Sequence, residues 1–206
     1  MTRSVRPEQK DELVKALKNG AIAAFPTETV YGLGAVYGDD KALSRLYEAK
    51  GRNAAKAITL MLYGVDELGE YAEVDEKILR LARTFMPGRL TLVMRRRDTV
   101  PAARVGGLDT IGIRIPDSDF VLSLLKETGP MWVTSANVSG GANTRTDQEV
   151  LDQLDGKIDY VVEGHTDSSV ASTVADVSGD DLIILREGVL SEDELRRVYD
   201  EDCDCV

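Results

Sequence analysis

The sequence predicts an α/β protein, a single domain on a twisted mixed β-sheet flanked by helices. Three observations lead there. Short apolar runs of strand length, such as residues 21–25 and 111–115, recur along the 206 residues. Between them lie amphipathic stretches bounded by helix caps and by Gly or Pro stops. Near the C-terminus two further runs flank Gly179-Asp180-Asp181 in the manner of a hairpin, so antiparallel pairs are expected beside parallel crossovers.

Taken in order, Pro7 suits a first helical turn, and Leu13, Ala16 and Leu17 share a face before Gly20 closes the helix. Residues 21–25 form a buried strand that Pro26 ends, because proline cannot donate to a sheet ladder. The polar turn Thr27-Glu28-Thr29-Val30-Tyr31 follows. Gly32 and Gly34 are expected to continue it, with positive φ and close approach of a ligand to the backbone. Ligands gather at such strand ends in open α/β sheets. Asp39 or Asp40 opens a second helix with Leu43, Leu46 and Tyr47 inward, and the same spacing brings Lys50 to or near the buried face at its end.

Residues 57–62 read as a strand. Asp75 caps a third helix, with Ile78, Leu79, Ala82 and Phe85 inward, which Met86-Pro87-Gly88 ends. Residues 90–94 are a strand followed by Arg95-Arg96-Arg97. Residues 111–115 are another, and carry Arg114 among apolar neighbours. Asp117 starts a helix through Phe120, Leu124 and Leu125, ended by Gly129-Pro130. Residues 131–134 run into Ser135-Ala136-Asn137-Val138-Ser139-Gly140-Gly141. Thr146 and Glu149 have capping-box spacing. Residues 160–162 are a strand, 172–177 and 182–186 make the hairpin, and Ser191 with Glu194 caps a last helix.

The formal net charge of -11, from 36 acidic and 25 basic residues, argues against a general affinity for nucleic acid. A tRNA contact would therefore need a locally basic face. An acidic surface with more Arg than Lys suits a protein kept soluble in high salt. No apolar run reaches the roughly 20 residues of a membrane span, and the N-terminus shows no apolar h-region. Cys203 and Cys205 sit on an acidic tail with too few ligands for a metal site. The expected location is the cytoplasm, with no membrane partner and no protein-bound metal.

Three polar constellations end strands or helices. The first is the 27–31 turn. The second is Lys50-Gly51-Arg52 with Lys56 four residues on, read either as macrodipole partners or as anion ligands. The third is Ser135-Ala136-Asn137 before Ser139-Gly140-Gly141, read either as a simple turn or as backbone N–H groups offered to an anion. There is no P-loop spacing, no GxGxxG after a strand and no Gly-x-Ser-x-Gly elbow. A Ser-His-Asp triad would have to use His165, the single histidine.

Taken together, PTETVYGLGA, KGR, MPGRLTLV, TIGIRIPDS, TSANVSGG, ASTVADV and ILREGVL, in this order, resemble the YrdC family of threonylcarbamoyl-AMP synthases. The resemblance implies a YrdC-like fold with a large basic cavity. It implies a nucleotidyltransferase that makes L-threonylcarbamoyladenylate from L-threonine, bicarbonate (or CO2) and ATP, releasing pyrophosphate. That is the first step toward N6-threonylcarbamoyladenosine (t6A) in tRNA.

By the same resemblance the family's Lys-x-Arg and Ser-x-Asn tetrad falls on Lys50, Arg52, Ser135 and Asn137 as catalytic residues. ATP is expected at Arg52, Lys56, Thr110, Ser135, Asn143 and Arg186. L-threonine is expected at Thr29, Arg114, Val133 (through its backbone) and Ser172. Mg2+ would be carried with ATP, and downstream t6A transferase machinery would receive the product. Lys50, Arg52, Lys56, Arg114 and Arg186 are expected to line one basic chamber.

Three departures stand out. Arg52-Asn53 and Lys56-Ala57-Ile58 stand where the family usually reads Arg-Pro and Asn-Pro-Leu, and Met61 stands where a histidine is common. Ending at Val206, the chain resembles the single-domain form. A YciO-like paralogue, toward which Ile58-Thr59-Leu60-Met61 leans, and a carbamoyl-transfer domain of the hydrogenase-maturation type are neighbouring readings. A non-catalytic tRNA or double-stranded-RNA binding module is the alternative from another class.

Overall fold

The computed structural model describes residues 1–53 and 57–201, so Lys56, Cys203 and Cys205 lie outside the described residues. The chain opens with β1 (Arg3–Val5) and passes a 3-10 turn at Pro7–Gln9 into α1 (Lys10–Lys18). Next come β2 (Ala23–Phe25), β3 (Gly32–Val36), α2 (Asp40–Lys50), β4 (Thr59–Met61), the short α3 (Leu68–Tyr71) and α4 (Glu76–Phe85). β5 (Leu90–Arg95) and β6 (Thr110–Arg114) precede α5 (Asp119–Thr128), β7 (Met131–Ser135), α6 (Asp147–Leu154) and β8 (Tyr160–Val162). The last elements are β9 (Thr173–Asp176), β10 (Ile183–Arg186) and α7 (Glu192–Tyr199).

Among the described residues the strands make one ten-stranded sheet in the order β1-β8-β2-β3-β7-β4-β6-β5-β9-β10. It is mixed, as expected. β8 runs parallel to β1 and β2, β6 to β4, and β9 to β5. The other pairs, including the β9–β10 hairpin, are antiparallel.

Strand side chains alternate between faces, and that period sorts the sheet. On one face Leu33, Leu60, Leu92, Ile113 and Trp132 pack against Leu46 of α2, Leu81 of α4, Leu154 of α6 and Leu195 of α7. On the other, Phe25, Met61, Met131 and Val133 pack with Leu13 and Leu17 of α1 and with Leu124 and Leu125 of α5. This second cluster takes no residue from β5, β6, β9 or β10. On that face those strands present Thr91, Val93, Thr110, Gly112, Arg114, Val174 and Asp176 instead. The uncovered stretch is where a site can form.

The caps explain where α2 stops. Asp39 accepts the N–H groups of Lys41 and Ala42 at 3.0 and 2.9 Å and starts the helix. Gly51 ends it at φ 58°, a left-handed conformation that a side chain would strain. Lys50 is thus the last helical residue, fully turned inward.

Several expectations need correction. The helix placed at Asp117 starts at Asp119, because Ser118 supplies the capping oxygen to Val121 N–H. Glu149 does not close a reciprocal box on Thr146; its carboxylate accepts from Arg145 N–H at 2.6 Å. Leu79 is half-buried, and Leu81 takes the deeper position in α4.

The larger correction is β3. Gly32 and Gly34 are strand rather than turn, and neither has positive φ. Between β2 and β7 a Cβ at residue 34 would stand 2.7 Å from Met131 Cε and 2.9 Å from a ring carbon of Phe25. The glycine is there because the neighbours occupy the space. Gly34→Ala is expected to destabilise the protein by about 1–3 kcal/mol through overpacking. Chemical denaturation should show a lower midpoint with an unchanged slope.

Candidate active site

The uncovered face encloses a cavity of about 510 Å³, within the usual size of small-molecule sites. Thr29, Arg52, Thr110, Arg114, Val133, Ser135, Asn143, Ser172 and Arg186 all line it. They come from stretches scattered between residues 29 and 186. Lys50 and Asn137 belong to the neighbouring wall and do not line it, and Lys56 lies outside the described residues.

The inner end is organised around Arg114, the last residue of β6. Its Nη2 donates to Glu28 Oε1 at 2.6 Å and to Thr29 Oγ1 at 3.0 Å, and its Nε donates to the Gly88 carbonyl at 3.1 Å. The 27–31 turn supplies two of these acceptors and is itself fixed. Thr27 Oγ1 donates to the Val30 carbonyl at 2.7 Å and accepts from Thr29 N–H at 3.1 Å. Tyr31 closes the turn by donating to the Val162 carbonyl, and burial raises its phenol pKa.

Arg186 also lines the cavity. Its Nε and Nη2 donate to the Ser172 carbonyl at 3.1 and 2.8 Å, and Nη2 also reaches Ser172 Oγ at 3.1 Å. Ser172 Oγ in turn pairs with Thr91 Oγ1 at 2.8 Å. Desolvation by the cavity wall, then the positive charge of Arg114, lowers the Arg186 pKa from its ordinary value. The two guanidinium groups therefore feel each other across the site. Arg52 Nη2 donates to the Ala57 carbonyl at 2.9 Å, and Asn143 stands exposed at the rim.

Lys50 is placed differently from the expected lining cation. Only 2% exposed, its ammonium donates to the carbonyls of Ser135 and, at 2.6 Å, of Asn137. The Lys50 carbonyl accepts Ser139 N–H at 2.8 Å. Residue 50 thus clips the end of β7 and the loop after it. Asn137 turns away from the cavity, with Nδ2 donating to the carbonyls of Val138 and Gly141. Nor is this loop an open anion nest, because Gly141 N–H is bound to the Val138 carbonyl. Burial, then the nearby Arg52 charge, lowers the Lys50 pKa to about 8.

Three residues without an expected role belong to the frame of the site, Glu28 of the 27–31 turn among them. Glu28 holds Arg114, Thr91 holds Ser172, and Asp176 is the carboxylate among the described lining residues. For Thr91 and Asp176 the available signal was a polar residue on the alternation opposite the leucines. His165 is exposed and faces Asp167 at 3.7 Å, so no triad forms around it. Among the described residues no group of three or more His, Cys, Asp or Glu converges. Arginines and hydroxyls lining one cavity suit a multiply anionic ligand.

A buried lysine with a lowered pKa sets the sign of a pH effect. Folded Lys50 releases its proton near pH 8, whereas the unfolded side chain keeps it to about 10.4. Between those values the unfolded state holds more protons, so stability rises with pH. The stability difference between wild type and Lys50→Met is expected to move toward wild type from pH 8 to 10, read by urea denaturation at each pH.

Comparison with known proteins identifies the family. The profile of the Sua5, YciO and YrdC family, described as telomere recombination, matches residues 15–188. A threonylcarbamoyl-AMP synthase of Pyrococcus abyssi is 37% identical over 188 residues, 90% of this chain and 55% of that protein. The crystal structure of P. abyssi Sua5 complexed with L-threonine superposes with a TM-score of 0.90 at 35% identity, over 96% of this chain and 60% of the other. Escherichia coli YciO superposes with a TM-score of 0.86 at 25% identity, over 97% of this chain and all of the other. The chain thus spans a little over half the length of the P. abyssi relative. No described helix is long and apolar enough to cross a membrane.

Proposed function

The chain belongs to the Sua5/YciO/YrdC family, and from that premise we propose that it is a threonylcarbamoyl-AMP synthase. It joins L-threonine, CO2 (or bicarbonate, which also releases water) and ATP to give L-threonylcarbamoyladenylate and pyrophosphate. The observation that carries the reading is the convergence of Arg52, Arg114 and Arg186, from three separate stretches, on one cavity. An acidic protein has gathered positive charge in the one place where carboxylate, bicarbonate and triphosphate would have to meet.

In this reading the free amine of threonine attacks CO2, a C–N bond forms, and the amine proton leaves to solvent. A carbamate oxygen then attacks the α-phosphorus in line. The bond from that phosphorus to the bridging oxygen breaks, and pyrophosphate carries the electron pair away. No side-chain nucleophile is needed. Catalysis is positioning plus neutralisation of developing charge. Arg114, with Thr29, Ser172 and the Val133 backbone, takes the amino acid. Arg52, Thr110, Ser135, Asn143 and Arg186 take the nucleotide and its phosphates, with Lys56 added from the resemblance. Lys50 and Asn137 act by holding the Ser135 end of β7 in place. Mg2+ enters on the phosphates of ATP and belongs to the substrate. The product passes, in the cytoplasm, to the machinery that transfers the threonylcarbamoyl group to tRNA; direct tRNA contact by this chain has little support from its charge.

A YciO-like activity is the second reading, favoured by the full-length superposition on E. coli YciO. One experiment separates them. Incubation with L-threonine, bicarbonate and ATP is expected to give threonylcarbamoyl-AMP by mass spectrometry, with pyrophosphate release that needs both threonine and bicarbonate. Failure to form it would favour the second reading. Arg114→Ala is expected to raise the threonine KM by about tenfold or more, because a charge-assisted pair is lost, with the ATP KM little changed.

A further inference from the structure

Of the arginines lining the cavity, Arg114 is the most enclosed, at 6% exposed. The protein itself occupies its Nε, through the Gly88 carbonyl, and its Nη2, through Glu28 and Thr29. The Gly88 carbonyl is no loose acceptor, since Gly88 N–H is bound to the Ile115 carbonyl at 2.8 Å. What remains is Nη1, whose two N–H groups have no protein partner among the described residues. Glu28 is almost as enclosed as its partner, with 11% of its side chain exposed. Its second oxygen, Oε2, is buried without a hydrogen bond among the described residues. A carboxylate kept inside with one oxygen unused has the guanidinium as its one partner.

Arg186 adds the reason a holder is needed. Arg114 and Arg186 are close enough for their charges to act on each other, and Arg186 is anchored by Ser172. Without Glu28, the Arg114 guanidinium would keep only its neutral acceptors, the Gly88 carbonyl and Thr29 Oγ1, and no carboxylate would offset the neighbouring positive charge. We infer that Glu28 is the positioning residue of the amino-acid subsite, holding Arg114 so that Nη1 meets the substrate carboxylate. This rests on the synthase reading. Glu28 also repels that carboxylate, so two effects of opposite sign compete. The 2.6 Å charge-assisted bond is direct, whereas the substrate carboxylate is one guanidinium width further away, so order outweighs repulsion.

The test sets order against charge. Glu28→Gln keeps the shape and a neutral acceptor, and is expected to raise the threonine KM about fivefold, with kcat and the ATP KM little changed. Glu28→Ala is expected to raise it further. In an Arg114→Ala background, Glu28→Gln should add nothing, because the residue it acts through is gone. Titration calorimetry with L-threonine alone should repeat the order. If Glu28→Ala fails to fold, Glu28→Gln and the double variant carry the test. An unchanged or lower threonine KM in Glu28→Gln would overturn the inference while leaving the synthase reading intact, as would an effect that multiplies onto Arg114→Ala. A wild-type protein that neither binds threonine nor forms the adenylate would overturn both.

Discussion

A guanidinium can stay inside a protein only when its charge is countered by a carboxylate or by well-placed acceptors, because an unpaired buried charge is strongly unfavourable. Arg114 imposes that condition on three stretches far apart in the chain. Glu28 and Thr29 come from the turn after β2, Gly88 from the corner between α4 and β5, and Arg114 from the end of β6. The inner end of the cavity is the place where those stretches are obliged to meet. Its shape follows from satisfying one cation.

The rest of the cavity follows from strand periodicity. The run Leu90-Thr91-Leu92-Val93-Met94 sends its leucines and methionine to the helix-covered core and its threonine and valine to the open face. β6 does the same with Ile111 and Ile113 against Thr110, Gly112 and Arg114. α1 and α5 cover only the other half of that face. A sheet half-covered on one side thus becomes the floor of a basin, whose walls the 27–31 turn and loop residues such as Asn143 and Ser172 complete. Overall charge is a poor guide to its electrostatics, since the molecule is acidic and the basin holds three arginines.

Helix positions were legible because caps and stops are local. Asp39 and Gly51 bound α2, Asp75 starts α4, and Ser191 with Glu194 caps α7. β1 and β3 were not. β1 is three residues with only Val5 buried, so its place beside β8 comes from a partner more than 150 residues away. β3 was read as a turn because glycine permits a turn, but here it is required by Phe25 and Met131 across the strands. Most of the cavity lining was legible as polar groups at or near strand ends. What was not legible was direction. Lys50 reaches backbone carbonyls of the 135–137 segment rather than the cavity, and Glu28 is defined by a contact to residue 114 that no local pattern encodes.

The proposed chemistry asks little of any single side chain. It asks that an amino acid and a nucleotide lie together in one chamber, carboxylate at the inner end and phosphates toward Arg52 and Arg186. A crystal structure of the protein with L-threonine and a non-hydrolysable ATP analogue bound together tests that most directly. The account predicts the threonine carboxylate within hydrogen-bond distance of Arg114 Nη1, Glu28 still on Nη2, and the α-phosphate facing the amine. Either ligand bound outside the cavity, or the carboxylate on another cation, would contradict it.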